Sequence, residues 1–79
     1  MANPALAHFA AELRAARGRQ RLTQVDLQAL SGISHKTIAR FENEQSDPRL
    51  GQMVALAEAL SIPAGQFLPE PKQGIRRAS

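Results

Sequence analysis

Apolar residues return at helical spacing along most of the chain. The first run is Leu6, Phe9, Ala10, Leu13 and Ala16, the set that one face of a helix presents. Pro4 suits the first turn, where its missing N–H would have had no intrahelical partner. A first helix is therefore expected to open there and to end near Gly18 or in the Arg19 to Arg21 stretch, where apolar spacing stops before Leu22. Thr23 with Asp26 three residues on has the pattern of a capping box, so a second helix should begin there and run to about Ser31. Gly32 supplies the turn. Ser34 can cap a third helix, and Ile33 and Ile38 on either side form a hydrophobic staple. That helix is expected over His35 to Glu44. Two helices joined by a short glycine-containing turn make a helix-turn-helix, here residues 23–44.

Beyond the polar loop Gln45 to Asp47, Pro48 can occupy the first turn of a fourth helix. Its apolar positions Leu50, Met53, Val54, Ala57 and Leu60 recur at helical spacing and predict a buried face. A short fifth helix is expected around Ala64 to Leu68, with Ile62, Phe67 and Leu68 as its apolar contribution. Pro69, Pro71 and Gly74 then break any continuation. No strand pattern is evident. The fold class is thus all-α: a compact five-helix bundle, one domain over residues 1–68, with a basic flexible tail over 69–79.

Size and charge narrow this picture. With 79 residues there is room for one modest core, since so small a domain hides only about 60% of its unfolded surface. A second catalytic or sensor domain is not expected within them. Ten Lys and Arg against seven Asp and Glu leave a net charge of +3, which suits a polyanionic partner without identifying one. Arg14, Arg17, Arg19 and Arg21 form a run without acids, and Lys72, Arg76 and Arg77 crowd the tail. The absence of cysteine removes any disulfide or thiolate metal site. The apolar start, Met1 to Ala11, lacks a basic leader, and no run approaches the roughly 18 apolar residues of a membrane span. A soluble, unprocessed, cytoplasmic chain with no membrane association is the expectation.

Enzymatic chemistry is not expected. His8 and His35 fall on separate predicted helices without an adjacent nucleophile, orienting carboxylate or metal-ligand spacing. No glycine-rich phosphate loop is present. Neither cofactor nor metal nor small-molecule ligand is therefore anticipated.

The third helix carries the candidate chemistry. On a helical wheel Ile38 and Phe41 point inward, which leaves Lys36, Arg40 and Asn43 on the opposite stripe, flanked by His35 and Ala39. The fork of Arg40 can donate twice to guanine O6 and N7, an interaction worth about 1 to 3 kcal/mol of discrimination. Lys36 can read guanine or hold a phosphate. His35 can donate to a base or a phosphate, and the Ala39 methyl can meet a thymine methyl unless it merely favours the helix. Backbone-contact candidates are Gln24 at the start of the second helix, Thr37, Asn43, Gln45, Ser46 and Arg49, with Arg19 and Arg21 adding attraction. Gln24 has an alternative role, bracing the third helix. A plain polar loop equally accounts for residues 43 to 49.

Leu22-Thr23-Gln24, Gly32-Ile33-Ser34, Thr37-Ile38, Phe41-Glu42-Asn43 and Asp47-Pro48 together resemble the phage-repressor or Xre/Cro-like helix-turn-helix family, a resemblance that extends from Phe9 to Leu68. It implies a lambda-repressor-like five-helix domain, the third helix in the major groove of double-stranded DNA, and a homodimer on a two-fold symmetric operator. It also implies a structural pair between Arg17 and Glu42. The expected function is a sequence-specific transcriptional regulator acting as a repressor. The alternatives are an antitoxin that neutralises a toxin partner and autoregulates, and a restriction-modification controller. Apolar residues available for a dimer contact are Leu60, Ile62, Phe67 and Leu68, and also Val25 and Leu30, unless they close the core. Three positions depart from the family pattern. Gln28 stands where a small residue is usual and is expected either to spread the helices or to tilt outward. Glu44 replaces the glycine that commonly ends the third helix, so either Asn43 turns left-handed or the helix runs on. Arg21 replaces a glycine in the connection after the first helix.

Overall fold

A computed structural model describes residues 3–69. The tail expected beyond Leu68 falls, apart from Pro69, outside the described residues. Among the described residues four α-helices follow one another: α1 (Pro4–Arg19), α2 (Gln24–Ser31), α3 (His35–Glu42) and α4 (Leu50–Leu60). The fifth helix is corrected to a single 3-10 turn, Ala64–Phe67. Only four residues separate Pro63 from the extended Leu68, too few to propagate α-helical hydrogen bonds once the first turn has been nucleated. No strand occurs among the described residues.

Local chemistry starts each helix. Asn3 Oδ1 accepts from the N–H groups of Ala5 (3.0 Å) and Leu6 (3.3 Å), with Pro4 as the first helical residue. The Thr23–Asp26 capping box closes in both directions, at 3.0 and 2.9 Å. Ser34 Oγ accepts from Lys36 N–H at 3.1 Å. At α4 the expectation for Pro48 needs correction: it lies ahead of the helix, and Gln52 Oε1 accepts from Arg49 N–H at 2.8 Å.

The helix ends are less orthodox. Gly32 closes α2 in the left-handed region, at φ 79°, which costs a glycine no Cβ clash. Arg21, Glu44 and Ser61 adopt the same conformation with φ 57°, 59° and 58°, at a cost of roughly 1–2 kcal/mol each for a residue with a Cβ. In return the last carbonyls are satisfied. Leu22 and Arg21 N–H bond Arg17 and Gly18 O, Gln45 and Glu44 N–H bond Arg40 and Phe41 O, and Ile62 and Ser61 N–H bond Ala57 and Glu58 O. This paired pattern is the Schellman closure. It ends α3 at Glu42, two residues earlier than expected. Glu44 itself turns left-handed, while Asn43 stays at φ −99°, so neither alternative offered for this end is the one adopted.

The core gathers Phe9, Leu13 and Ala16 from α1, Leu27 from α2, Ile38 and Phe41 from α3, Leu56, Ala57 and Leu60 from α4, and Phe67. Phe9 is its hub, edge-on to Phe41 (centroids 5.5 Å apart) and to Phe67 (5.0 Å), the arrangement that ring quadrupoles favour. The buried face of α4 is corrected: Leu56 is buried and Met53 partly so, while Leu50 and Val54 are exposed. Leu50, Met53, Val54, Leu56, Ala57 and Leu60 surround this helix with apolar side chains, so periodicity alone does not select the face that packs. Ile38 lies in the core and Ile33 packs against it from the margin. The chain ends of the bundle are tied by polar contacts. His8 Nε2 donates to Gln66 O at 3.1 Å and Gln20 Nε2 to Leu60 O at 2.6 Å.

Candidate nucleic-acid interface

α3 is held from behind by a polar knot at its C-terminal end. Glu42 is buried, at 5% exposure, yet its carboxylate accepts three hydrogen bonds. Arg17 Nε and Nη2 reach Oε2 and Oε1 at 2.8 and 2.9 Å, and Gln24 Nε2 reaches Oε1 at 3.0 Å. The fork-on-carboxylate geometry joins charge to two parallel donors. Arg17 Nη1 also donates to Leu22 O at 2.9 Å, and Arg14 Nη1 to Glu42 O at 2.6 Å. Hydrogen bonding to Glu42 holds the Arg17 guanidinium above its ordinary pKa, against the opposing effect of desolvation. The expected Arg17–Glu42 pair is present, then, and α1, α2 and α3 converge on it.

This knot bears on Gln24. Its side chain serves as the brace for α3 that was the alternative to phosphate contact, since one amide N–H is engaged by Glu42. The Asp26 carboxylate also sits in the first turn of α2, where it already faces the free amides that a phosphate would seek. Hydrogen bonds from Thr23, first from its backbone N–H and then from its side chain, hold the Asp26 carboxyl below its usual pKa.

The other face of α3 is open. Ile38 and Phe41 point into the core with Glu42, whereas Lys36, Arg40 and Asn43 are exposed and His35, Thr37 and Ala39 half-buried. Among the described residues the Arg17–Glu42 contact is the one ion pair. The cationic ends of Lys36 and Arg40 thus have no acidic partner there, although they stand one helical turn apart on the same stripe. Gln45 and Arg49 are exposed and Ser46 half-buried in the loop that follows; Arg19 and Arg21 are exposed beyond Arg17. The positive φ of Arg21 turns the chain directly after α1. The chain has three Phe and no Trp or Tyr, and all three Phe are buried. No aromatic platform is left outside for stacking unpaired bases, and the exposed stripe is suited instead to a groove edge.

Two contacts at this face were not anticipated. Gln28 is exposed, as its outward alternative had it, but its Oε1 reaches across the turn to His35, accepting from the backbone N–H at 2.8 Å and meeting Nδ1 at 2.7 Å. Asn3 as the α1 cap was likewise missed, although an Asn immediately before Pro is a signal for a helix start. Of the dimer candidates, Leu60 and Phe67 follow the core-closing alternative and Ile62 is partly buried against the core; Val25, Leu30 and Leu68 are exposed.

Among the described residues, no group of three or more His, Asp or Glu converges as a metal site, and no helix is long and apolar enough to cross a membrane. Residues 13–67 match a protein-family model described as Helix-turn-helix. A curated relative from Sinorhizobium fredii, named as the HTH-type transcriptional regulator y4dL, is 38% identical over 55 residues, which is 70% of this chain. The chain spans only 28% of that relative's length. The crystal structure of the restriction-modification controller protein C.AhdI from Aeromonas hydrophila superposes with a TM-score of 0.79 at 29% identity, covering 84% of this chain and 100% of the controller.

Proposed function

This chain belongs to the helix-turn-helix family, of the phage-repressor or Xre/Cro-like type, and from that premise we propose that it is a sequence-specific DNA-binding transcriptional regulator. The observation that carries the reading is the division of α3: Ile38, Phe41 and Glu42 buried, Lys36 and Arg40 exposed on the opposite side without an acidic partner among the described residues. A rigid helix with free cations along one edge can enter the major groove, with Arg40 reading guanine and Lys36 reading guanine or holding a phosphate. Asn43, Gln45, Ser46, Arg49 and Thr37, with Arg19 and Arg21, are assigned to the phosphate backbone. Such contacts position the protein without reading sequence. Gln24 joins them through its second amide hydrogen.

One recognition helix reads few base pairs, so the regulator acts as a homodimer on two half-sites about 34 Å apart. Exposed Val25, Leu30 and Leu68, with Leu50 and Val54 of α4, are apolar residues left for contact between copies. Repression by occupancy of the operator follows from this mode of binding. A second reading, favoured by the full coverage of the controller structure, is control of a restriction-modification system.

Selection of bound sequences from a random duplex pool, followed by affinity measurement across a salt series, tests the proposal. It expects a symmetric motif and an affinity that falls steeply with salt. Retention of no duplex, or of all duplexes equally, would sink it.

A further inference from the structure

The contact between Gln28 and His35 fixes more than a distance. A backbone N–H can only donate, so the Gln28 atom that meets His35 N–H at 2.8 Å must be the amide oxygen, and the usual ambiguity between amide O and N is removed. That same oxygen lies 2.7 Å from His35 Nδ1. An amide oxygen only accepts, so Nδ1 carries the hydrogen. In a neutral imidazole the other nitrogen is then a bare acceptor. Nε2 has no partner among the described residues, and no buried side-chain nitrogen or oxygen there lacks one. Since His35 is only half-buried, its Nε2 is open to solvent.

We propose that Gln28 sets His35 to accept, rather than donate, a hydrogen bond from DNA, making this pair the determinant of a half-site position that presents an exocyclic amino group in the major groove. The inference rests on the DNA-binding reading above. Adenine N6 and cytosine N4 are the donors available in that groove, whereas guanine N7 and O6, thymine O4 and the phosphate oxygens are all acceptors. The donor role expected of His35 from sequence is thereby reversed. A small residue at position 28, the usual one in the family resemblance, would leave the imidazole free to choose either tautomer. Gln28 is accordingly a positioning residue: it touches no base itself but decides what His35 offers.

Two measurements at alkaline pH test this. Nitrogen-15 NMR of the free protein should find His35 protonated at Nδ1 and bare at Nε2. Gln28→Ala should remove that bias, and Gln28→Glu, which keeps an acceptor oxygen, should retain it. Duplex selection should then show one position per half-site where adenine or cytosine is preferred over guanine by about tenfold. Gln28→Ala should narrow that preference and Gln28→Glu preserve it. A purely structural cap would instead lower affinity for every duplex alike and leave the preference unchanged. Protonation of His35 at Nε2 in the free protein, or a preference for guanine at the position that survives Gln28→Ala, would overturn the inference while leaving DNA binding intact. Retention of no duplex would overturn the function, and the base assignment with it, whatever the tautomer.

Discussion

The two faces of α3 differ in how fully they are committed. On the inner side Ile38, Phe41 and Glu42 are 0%, 1% and 5% exposed, and the Glu42 carboxylate is met by donors from Arg17 and Gln24. On the outer side Lys36, Arg40 and Asn43 are exposed, and neither cation has an acidic partner among the described residues. The inner residues hold the fold and have nothing left to offer a ligand. The outer residues add little to stability, so their donors remain available. One eight-residue helix therefore separates residues committed to the fold from residues left free and, on the proposed reading, a substitution on either face should be felt in one measurement and not in the other.

The strongest way to break that separation is Arg17→Ala. It leaves the buried Glu42 carboxylate with Gln24 as its remaining side-chain donor, and should destabilise the domain by about 3 kcal/mol, the low end for a broken buried pair because Arg17 retains some exposure. Urea denaturation reads this directly. Glu42→Gln should cost less, since the 22%-exposed Arg17 side chain can turn to water. If Glu42→Gln proved the more damaging, burial of charge would not be what the knot manages.

Arg40→Ala probes the opposite face. Its expected effect on stability is within about 0.5 kcal/mol, as for surface positions generally, whereas discrimination at one base position in each half-site should fall by about 1 to 3 kcal/mol. Equal losses on specific and random duplexes would remove the base-reading role. Smaller again is Glu44→Gly, which relieves the left-handed strain where α3 ends and should raise stability by about 1 kcal/mol. An unchanged or lowered urea midpoint would mean that the Glu44 side chain supports the turn.

The smallest effect concerns pH and lies away from α3. Asp26 has its carboxyl pKa lowered by the Thr23 hydrogen bonds, so its contribution is present above the ordinary carboxylate pKa. It is lost as pH falls through the lower folded value. The stability difference between the native chain and Asp26→Ala should accordingly shrink on acidification below about pH 4. A difference that grew in acid would contradict the capping role.

What could be read from sequence was whatever a few neighbouring residues decide among themselves. The Thr23–Asp26 box, the Ser34 cap, the Gly32 turn and the inward spacing of Ile38 and Phe41 all depend on contacts within one or two helical turns, which residue type and periodicity encode directly. The Arg17–Glu42 pair was legible through family resemblance, because nothing local links positions 25 residues apart. Tertiary structure alone decided which side of the apolar α4 packs, since Leu50 and Leu56 are equally hydrophobic and only the placement of α2 and of the Ala64–Phe67 turn against the helix distinguishes them. Arg21, Glu44 and Ser61 were hidden for another reason: residue type argues against the left-handed conformation that their helix-ending closures impose. And tertiary structure brought Gln28 within reach of His35, because a hydrogen bond across a turn depends on how two helices meet, a relation that neither helix carries in its own pattern.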